Sequence, residues 1–258
     1  MLKHTFRYFL VASFIFFVSC AKDDDSQETN NPTKSANRQG TGDSANDFLS
    51  EDNFTDLVIE VVYVEGFEPS QSSLDNLVSF INQRCYKSGG VEINKRSIVS
   101  PNKELFTIEE IDSIEKEIRT HYNSGSRLAL FAFFVDGEYK DNDENSVVLG
   151  VAYRNTSFVI FEETIQKFSN DFTEPSRVLL ESTVYRHEFS HLLGLVDLGS
   201  EMQTDHLDTE NGHHCDVETC LMNYRVESGI NIGGMISEEN IPKLDSQCLA
   251  DLRANGGR

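Results

Sequence analysis

Residues 187–197 carry the side chains of this chain that are best suited to chemistry. They read His-Glu-Phe-Ser-His-Leu-Leu-Gly-Leu-Val-Asp. On a helix, His187 and His191 leave the same face one turn apart, so both imidazoles can bind one metal ion in a tetrahedral site. Glu188 lies beside them, and a carboxylate next to a metal-bound water can accept a proton from that water. This run therefore predicts a zinc site that hydrolyses peptide bonds.

The helix that must carry these residues has its own start and stop signals. Thr173, Glu174 and Pro175 are typical of a helix N-terminus, and Gly194 is typical of the left-handed residue that follows a helix. Apolar residues recur between them with near-helical spacing: Val178, Leu179, Val184, Tyr185, Phe189, Leu192 and Leu193. We therefore predict a long, mostly buried helix over 174–193, which would hold metal ligands rigidly.

The segment 187–224 resembles the metzincin clan of zinc endopeptidases. In that clan the pattern HExxHxxGxx is followed by His or Asp and then by a methionine turn. Residues 214–224 read His-Cys-Asp-Val-Glu-Thr-Cys-Leu-Met-Asn-Tyr, which is similar to the archaemetzincin arrangement. The resemblance implies that Met222 forms an apolar floor under the metal. It also implies that Tyr224 is a catalytic residue that stabilises the tetrahedral intermediate, with packing against the methionine turn as an equal alternative.

Two residues compete for the position of the third metal ligand. Asp197 lies six residues after His191, where snapalysin-like enzymes of the clan have an Asp ligand. His214 instead begins the archaemetzincin-like spacing to Met222, as though residues 198–213 were inserted, and leishmanolysin-like enzymes have a long insertion at this place. We favour His214, because a neutral imidazole completes the common three-His site. Asp197 is the alternative ligand, and it could otherwise orient one of the ligands.

The predicted insertion is polar and contains two further histidines. His206 and His213 lie in it together with Asp205 and Asp208. These residues could hold a second ion, but a solvated rim of the active site is the preferred interpretation, because such polar residues are mostly exposed.

A calcium loop is a further possibility upstream. Asp141, Asp143 and Asn145 have the spacing of the first ligands of such a loop, but Ser146 stands where Gly is expected and Ala152 where the closing Glu is expected. A solvated hairpin is the preferred interpretation, with a calcium ion as the alternative.

The first residues predict export. Lys3 and Arg7 flank the start of an apolar run over 8–18, which is too short to span a membrane and is typical of a signal peptide. We predict that residues 1–19 are a lipoprotein signal peptide and that Cys20 is lipidated. The membrane would then be a partner through this lipid anchor alone.

The residues that follow predict a tether and one folded domain. Residues 22–25 read Lys-Asp-Asp-Asp, which resembles the signal that sends lipoproteins of Bacteroidetes-type bacteria to the outer face of the outer membrane. Residues 20–55 contain few large apolar side chains, which predicts a disordered acidic stalk. Residues 56–258 are numerous enough for one sizeable core and are predicted to be the catalytic domain.

Apolar patterning predicts the elements that position the site. Strands are indicated over 57–64, 91–99, 127–135, 147–153 and 157–161, and helices over 72–86 and 107–122, before the helix of the site. The fold class is α+β with an α/β-like upper subdomain. The metzincin resemblance implies a zincin with a mixed twisted sheet, an active-site helix and a small, irregular C-terminal subdomain. It also implies that the strand 147–153 is an edge strand that pairs with an extended substrate.

The cysteines predict a disulfide framework. With Cys20 lipidated, an even set of four remains in an oxidising compartment, Cys85, Cys215, Cys220 and Cys248. If His214 is the third ligand, we expect Cys215 to pair with Cys220 and Cys85 with Cys248. A structural zinc, which the extra cysteines of archaemetzincins provide, is less favoured because this chain lacks their closing Cys-x-x-Cys.

The net charge and the presence of Glu188 limit the classes of function that fit this sequence. The formal net charge is −21, which argues against nucleic acid as a partner. We predict a zinc metalloendopeptidase that acts as a monomer on protein or peptide substrates from the cell surface, with one catalytic zinc. The alternative is a catalytically inactive lipoprotein that uses the metal scaffold for binding. Glu188 favours the enzyme, because a binding protein has no need of a carboxylate there.

Overall fold

A five-stranded mixed sheet organises the described part of the chain, which in this computed structural model comprises residues 32–143, 147–169, 175–228 and 241–258. The strands, in chain order, are β1 (Asp56–Val64), β2 (Gly90–Ile98), β3 (Leu105–Phe106), β4 (Arg127–Phe134), β5 (Glu138–Tyr139), β6 (Gly150–Arg154) and β7 (Ser157–Ile160). The sheet has the order β2-β1-β4-β7-β6, and β3 pairs separately with β5. All pairings within the large sheet are parallel except that of β6 with β7, which places β6 at an antiparallel edge.

Helices cover both faces of this sheet. In chain order they are α1 (Pro32–Ala36), α2 (Ala45–Leu49), α3 (Gln71–Arg84), α4 (Ile108–Ile118), α5 (Glu162–Lys167), α6 (Arg177–Leu192), α7 (Tyr224–Ser228) and α8 (Ser246–Ala254). Ile59 and Val61 of β1 belong to the core cluster that contains residues of α3 and α6, whereas Val62 belongs to the second cluster with Ile111 of α4. Because successive side chains of a strand point to opposite faces, β1 is buried almost continuously.

Local signals explain where the flanking helices begin. The hydroxyl of Thr107 accepts from the backbone N–H of Glu110 at 3.3 Å, and the Glu110 carboxylate accepts from the Thr107 N–H at 3.0 Å. This reciprocal pair satisfies two donors that the first turn of α4 would otherwise leave free. In the same way, the side chain of Ser70 accepts from the backbone of Ser73 at the start of α3.

The α+β fold class predicted from the sequence is confirmed. The predicted strands and helices of the upper subdomain correspond to β1, α3, β2, α4, β4, β6 and β7, with boundaries shifted by a few residues. The helix of the site begins later than predicted, at Arg177, and Pro175 lies before it. Thr173 and Glu174 lie outside the described residues. In the C-terminal part, the described helices are the short α7 and α8.

The predicted disordered stalk is wrong for residues 34–55, which pack on the domain. Phe48 and Leu49 are fully buried in the same core cluster as α6. The ring of Phe48 meets Phe189 edge-on, with ring centroids 5.3 Å apart. The amide of Asn37 is also buried and donates to Asn123 Oδ1 at 2.7 Å. The average composition of residues 20–55 gave no indication of the few side chains that make specific contacts. The first 31 residues lie outside the described part.

The sequence predicts membrane attachment through Cys20 alone, and the described residue ranges do not include this residue. Within those ranges, no helix combines the length and the apolar character that are needed to cross a bilayer. The predicted signal peptide and Cys20 lie outside the described residues, as does Asn145 of the candidate calcium loop. Lipidation and calcium binding therefore stay predictions.

Candidate metal centre

The last two turns of α6 bring two histidines to one point. His187 and His191 are both buried, and their Nε2 atoms lie 3.1 Å apart. Four ligand atoms at about 2.0–2.1 Å from a tetrahedral zinc are separated by about 3.3–3.4 Å. The two ring nitrogens therefore lie close to the separation that one zinc ion requires.

The chain leaves α6 through a left-handed turn and returns with a third histidine. Gly194 has a φ of 78°, and a Cβ there would lie 2.5 Å from the backbone nitrogen of Ser200. Asp197 follows with a φ of 69° and is exposed. His214 returns, and its imidazole lies 5.3 Å from that of His187 and 5.4 Å from that of His191 between ring centroids. The structure therefore brings His214 to the two helix histidines and leaves Asp197 outside the group.

Hydrogen bonds fix the tautomers of two of these rings. Nδ1 of His187 donates to the carbonyl of Leu221 at 2.7 Å, and Nδ1 of His214 donates to the carbonyl of Asn211 at 2.9 Å. Because a carbonyl can only accept, the protons lie on Nδ1 and the Nε2 lone pairs face the centre of the group. Burial, and then the nearby charge of His214, lower the pKa of His187 to about 4. Ring nitrogens that converge in this way from buried imidazoles can share one cation, so these residues fit a zinc ion.

Glu188 lies in the same cavity without a partner for its charge. Both carboxylate oxygens are buried and accept no hydrogen bond of good geometry among the described residues, although the backbone N–H of Ala152 lies close to them. Burial, followed by the nearby charge of Glu227, raises the pKa of Glu188 well above its ordinary value. Gly150 of β6 makes room for this side chain, because a Cβ there would lie 2.8 Å from Glu188 Cγ and 2.9 Å from Oε1. A bound cation would favour the ionised form of Glu188, which is the form that can accept a proton.

Glu227 is a member of the group that the sequence did not reveal. Its Oε2 lies 2.8 Å from Nε2 of His214 and 4.0 Å from Nε2 of His187. One ligand atom from each of the three histidines and from Glu227 lies within 4.8 Å of all the others. Burial would raise the pKa of Glu227, but the contact with His214 outweighs it and lowers the pKa.

A cavity of about 480 Å³ opens onto this group. Residues of the metal site line it together with Thr41 of the N-terminal segment and two residues of β6. The full lining is Thr41, Val151, Ala152, Glu188, His191, Leu198, Asn211, Gly212, His213, His214 and Glu227. The hydroxyl of Thr41 donates to the carbonyl of Ala152 in β6 at 3.2 Å. The N-terminal segment thus reaches the edge strand beside the cavity.

The methionine turn lies directly beside the histidines. Met222 is fully buried and follows Leu221, the residue whose carbonyl accepts from His187. Tyr224 begins α7 and is half-buried, with the guanidinium of Arg225 over its ring at 5.9 Å. Tyr224 is not among the residues that line the cavity, where Glu227 of the same helix is found. The catalytic role of Tyr224 stays a prediction.

The four predicted disulfide cysteines are free thiols, so the two predicted bonds are wrong. Cys85 is buried apart from the others, and burial raises the pKa of its thiol to about 12. Cys215, Cys220 and Cys248 converge instead, with Sγ of Cys220 and Cys248 3.7 Å apart, well beyond the length of about 2.05 Å that a disulfide requires. Contact with the other two thiols lowers the pKa of Cys220.

His206 joins these three cysteines, so the predicted solvated rim is wrong for this residue. Its ring is buried, and Nδ1 lies 3.3 Å from Sγ of Cys215 and 3.9 Å from Sγ of Cys248. The other nitrogen, Nε2, lies 2.7 Å from a carboxylate oxygen of Asp251. Zinc–sulfur distances of about 2.3 Å imply sulfur–sulfur separations of about 3.8 Å in a tetrahedron. One ligand atom from each of His206, Cys215, Asp245 and Cys248 lies within 4.8 Å of the others, and Sγ of Cys220 adjoins Cys248. The cluster therefore has the dimensions and the histidine-orienting carboxylate of a structural metal site. His213, in contrast, is exposed on the lining of the cavity.

Comparisons with known proteins found similar solved structures. The chain is similar to archaemetzincin from Methanopyrus kandleri, with a TM-score of 0.51 and 15% identity over 78% of this chain and 96% of that chain. It is also similar to metalloproteinase-II from Bacteroides fragilis, with a TM-score of 0.41 and 14% identity over 88% of this chain and 59% of that chain. No protein-family model and no curated protein matches the sequence. The first likeness shows that this chain shares the fold of archaemetzincin.

Proposed function

We propose that this chain is a zinc-dependent endopeptidase. The observation that carries the proposal is that three histidines direct buried nitrogens at one point, and an unpartnered carboxylate, Glu188, faces the same cavity. His187, His191 and His214 would hold the zinc. When bound there, zinc would act as a Lewis acid toward a peptide carbonyl and would lower the pKa of water toward about 7.

The proposed role of Glu188 is to move a proton. Its carboxylate accepts a proton from the attacking water and then delivers it to the nitrogen of the leaving amine. Because Gly150 has no side chain, the carboxylate can occupy this position beside β6. Its burial keeps other proton donors away. The proton transfer needs no further side chain on the lining of the cavity.

The substrate would bind as an extended peptide along β6. This strand is at the edge of the sheet, so its outward backbone groups can add a strand of substrate. Part of this edge is already paired, because Leu149 donates to the carbonyl of Glu227 at 2.9 Å and the Ala152 carbonyl accepts from Thr41. We infer that the recognised stretch of substrate is short.

Replacement of the base tests the proposal. Glu188→Gln should retain zinc and lose turnover by about 10² to 10⁴-fold, because only the proton acceptor is removed. The measurement is cleavage of a quenched fluorescent peptide library, with the metal content determined on the same samples. A chelator should abolish the wild-type activity. Unchanged cleavage by Glu188→Gln would contradict the mechanism.

An inactive metal-binding lipoprotein is the second candidate, and one observation favours it. Glu227 lies at the fourth position around the proposed zinc, and sites with four protein ligands are typically structural. A wild-type protein that binds zinc but cleaves no member of the library would support this candidate.

We also propose that the protein is exported as a lipoprotein with a lipid on Cys20 and that it faces outward from the outer membrane. The support is the sequence of residues 1–25 alone. Cys20→Ala should leave the outer membrane fraction and lose metabolic labelling with a fatty acid. Membrane recovery of that variant would contradict anchoring through this residue.

The cysteine cluster suggests a second zinc in addition to the catalytic ion. His206, Cys215 and Cys248 would hold it together with Asp245 or the neighbouring Cys220, and its contribution would be to stabilise the C-terminal part. The site joins the segment that precedes the predicted methionine turn to α8, where Asp251 already accepts from the backbone N–H of Gln203 at 2.7 Å. We therefore expect two zinc ions per chain.

A further inference from the structure

We propose that Glu227 is a fourth protein ligand of the metal held by His187, His191 and His214, and that a peptide substrate must displace it. This inference rests on the proposed function for the displacement step. The ligand claim itself depends on the geometry of the four side chains.

The position of the Glu227 carboxylate is that of a ligand. Its Oε2 lies 2.8 Å from Nε2 of His214 and 4.0 Å from Nε2 of His187. These separations bracket the value of about 3.3 Å that is expected between two ligand atoms of one tetrahedral zinc. Three histidine nitrogens leave one vertex of the tetrahedron, and this oxygen occupies it.

The direction of the His214 ring argues against a simple ion pair. Nε2 of His214 lies at hydrogen-bonding distance from the carboxylate, yet within the described residues it makes no hydrogen bond of acceptable angle. Its proton is on Nδ1, which donates to the carbonyl of Asn211. At 2.8 Å a ring nitrogen and a carboxylate oxygen need a positive charge between them, which is either a second proton on the ring or a metal ion toward which both are directed. A shared metal ion satisfies both groups.

The main chain of Glu227 is fixed beside the centre. Its carbonyl accepts from the N–H of Leu149 at 2.9 Å, and the next carbonyl, of Ser228, accepts from Val147 at 3.3 Å. The backbone of α7 is therefore tied to the segment that leads into β6. Movement of the carboxylate must come from rotation of the side chain, which has three rotatable bonds.

Glu227 is also the ligand that can leave. Its side chain is 26% exposed, compared with 0% for His187 and 10% for His214. It lines the cavity that a substrate would enter. A catalytic zinc keeps one position open for its substrate. Glu227 would close this position in the resting protein, and rotation into the cavity would open it.

The test compares Glu227→Gln and Glu227→Ala with a matched control, Glu218→Gln, which removes an equal charge from an exposed site nine residues earlier. The full chain is stripped of metal and reloaded with cobalt, whose visible spectrum reports the number and type of its ligands. Sulfur-to-cobalt bands identify the cysteine cluster, so the histidine centre is read separately. Competition with a chromogenic chelator then gives the affinity of that centre.

We expect both Glu227 variants to lower metal affinity by at least about tenfold, because a direct ligand is lost and even outer groups cost about 10 to 100-fold. Their cobalt spectra should change, and acetohydroxamate should bind at least about tenfold more tightly than to the wild type, because no carboxylate has to be displaced. The Glu218→Gln control should match the wild type in all three measurements.

Two results would overturn the inference. One is an affinity and a cobalt spectrum in Glu227→Ala that equal those of the wild type, which would show that Glu227 pairs with a protonated His214 and not with the metal. The other is weaker metal binding with unchanged acetohydroxamate affinity, which would show a ligand that is not displaced. None of the three measurements uses peptide cleavage, so a failure of the proposed peptidase activity would be recognised separately.

Discussion

Substitution of Gly150 should damage catalysis through Glu188 without removing the metal. In Gly150→Ala, the new Cβ would lie 2.8 Å from Glu188 Cγ, 2.9 Å from Oε1 and 3.0 Å from a methyl of Val184. Carbon atoms in contact prefer about 3.5–4.0 Å, so either the carboxylate or β6 must move by about 0.7 Å or more. A displacement of about 1 Å of a reacting group can cost about 100-fold in rate.

We therefore expect kcat/KM of Gly150→Ala to fall by about 10 to 100-fold, which corresponds to about 1.4–2.7 kcal/mol. Overpacking should also lower the free energy of unfolding by about 1–3 kcal/mol. For a domain of this size the melting temperature would fall by about 2–12 °C. Zinc content should be unchanged, because the atoms nearest to the new methyl group belong to Glu188 and Val184 and not to the three histidines.

A double-mutant cycle separates the role of Glu188 from a general loss of stability. In a Glu188→Gln background, Gly150→Ala should change the residual kcat/KM by less than about twofold, because the base is already lost. The assay is cleavage of a fluorescent peptide well below the melting temperature of every variant. Equal fold losses of kcat/KM in both backgrounds, or wild-type activity in Gly150→Ala, would refute the idea that Gly150 positions the carboxylate.

Three further predictions concern the fold and the two metal sites. Phe48→Ala should lower the free energy of unfolding by about 3–5 kcal/mol, because its buried ring packs on Phe189 of α6. A loss of less than about 1 kcal/mol, measured by urea unfolding, would contradict this packing. Cys248→Ser should reduce the zinc content from two ions to one and lower the melting temperature, whereas two retained ions by mass spectrometry of the native protein would argue against the cysteine site. His214→Ala should lower zinc affinity by more than about 100-fold, while Asp197→Asn, at an exposed position, should stay within about twofold in a chelator competition. The reverse order would restore Asp197 as the ligand.

Local sequence patterns were sufficient for the part of the site that one helix carries. His187, Glu188 and His191 are close in sequence, and the 3.6-residue period alone places them on one face. His214 could be selected because its spacing to Met222 is intact. In these cases the relevant distances are set by short stretches of chain, which is why they could be predicted.

Contacts between distant segments could not be predicted in this way. Glu227 reaches the histidines because its backbone pairs with Leu149, a residue 78 positions earlier. His206 and Cys248 meet across 42 positions, so neither resembles a ligand when read in its local context. An even number of cysteines suggested disulfides, although a histidine and three thiols can satisfy one another through a metal instead.

The N-terminal segment was missed for a related reason. Its average composition is that of a disordered chain, but stability depends on individual partners. Gly42 shows this clearly: its φ is 84°, and a Cβ would lie 1.8 Å from the carbonyl oxygen of Leu198. The close approach of the backbones at Gly42 and Leu198 depends on the folded structure. A glycine within a polar stretch of sequence does not reveal this approach.

The packed N-terminal segment also limits how far the proposed enzyme could act from a membrane. If the tether ran from Cys20 to residue 55, its 35 residues could span about 125 Å when fully extended. Because the described helices begin at Pro32, 12 residues lie between Cys20 and the described part, with a maximum reach of about 43 Å. A folded unit of this size is itself about 45 Å across. A lipid on Cys20 would therefore hold the cavity within about two protein diameters of the bilayer. Soluble proteins would have to diffuse to this layer, whereas neighbouring membrane-anchored proteins, and chains emerging from the same surface, would be within reach at all times.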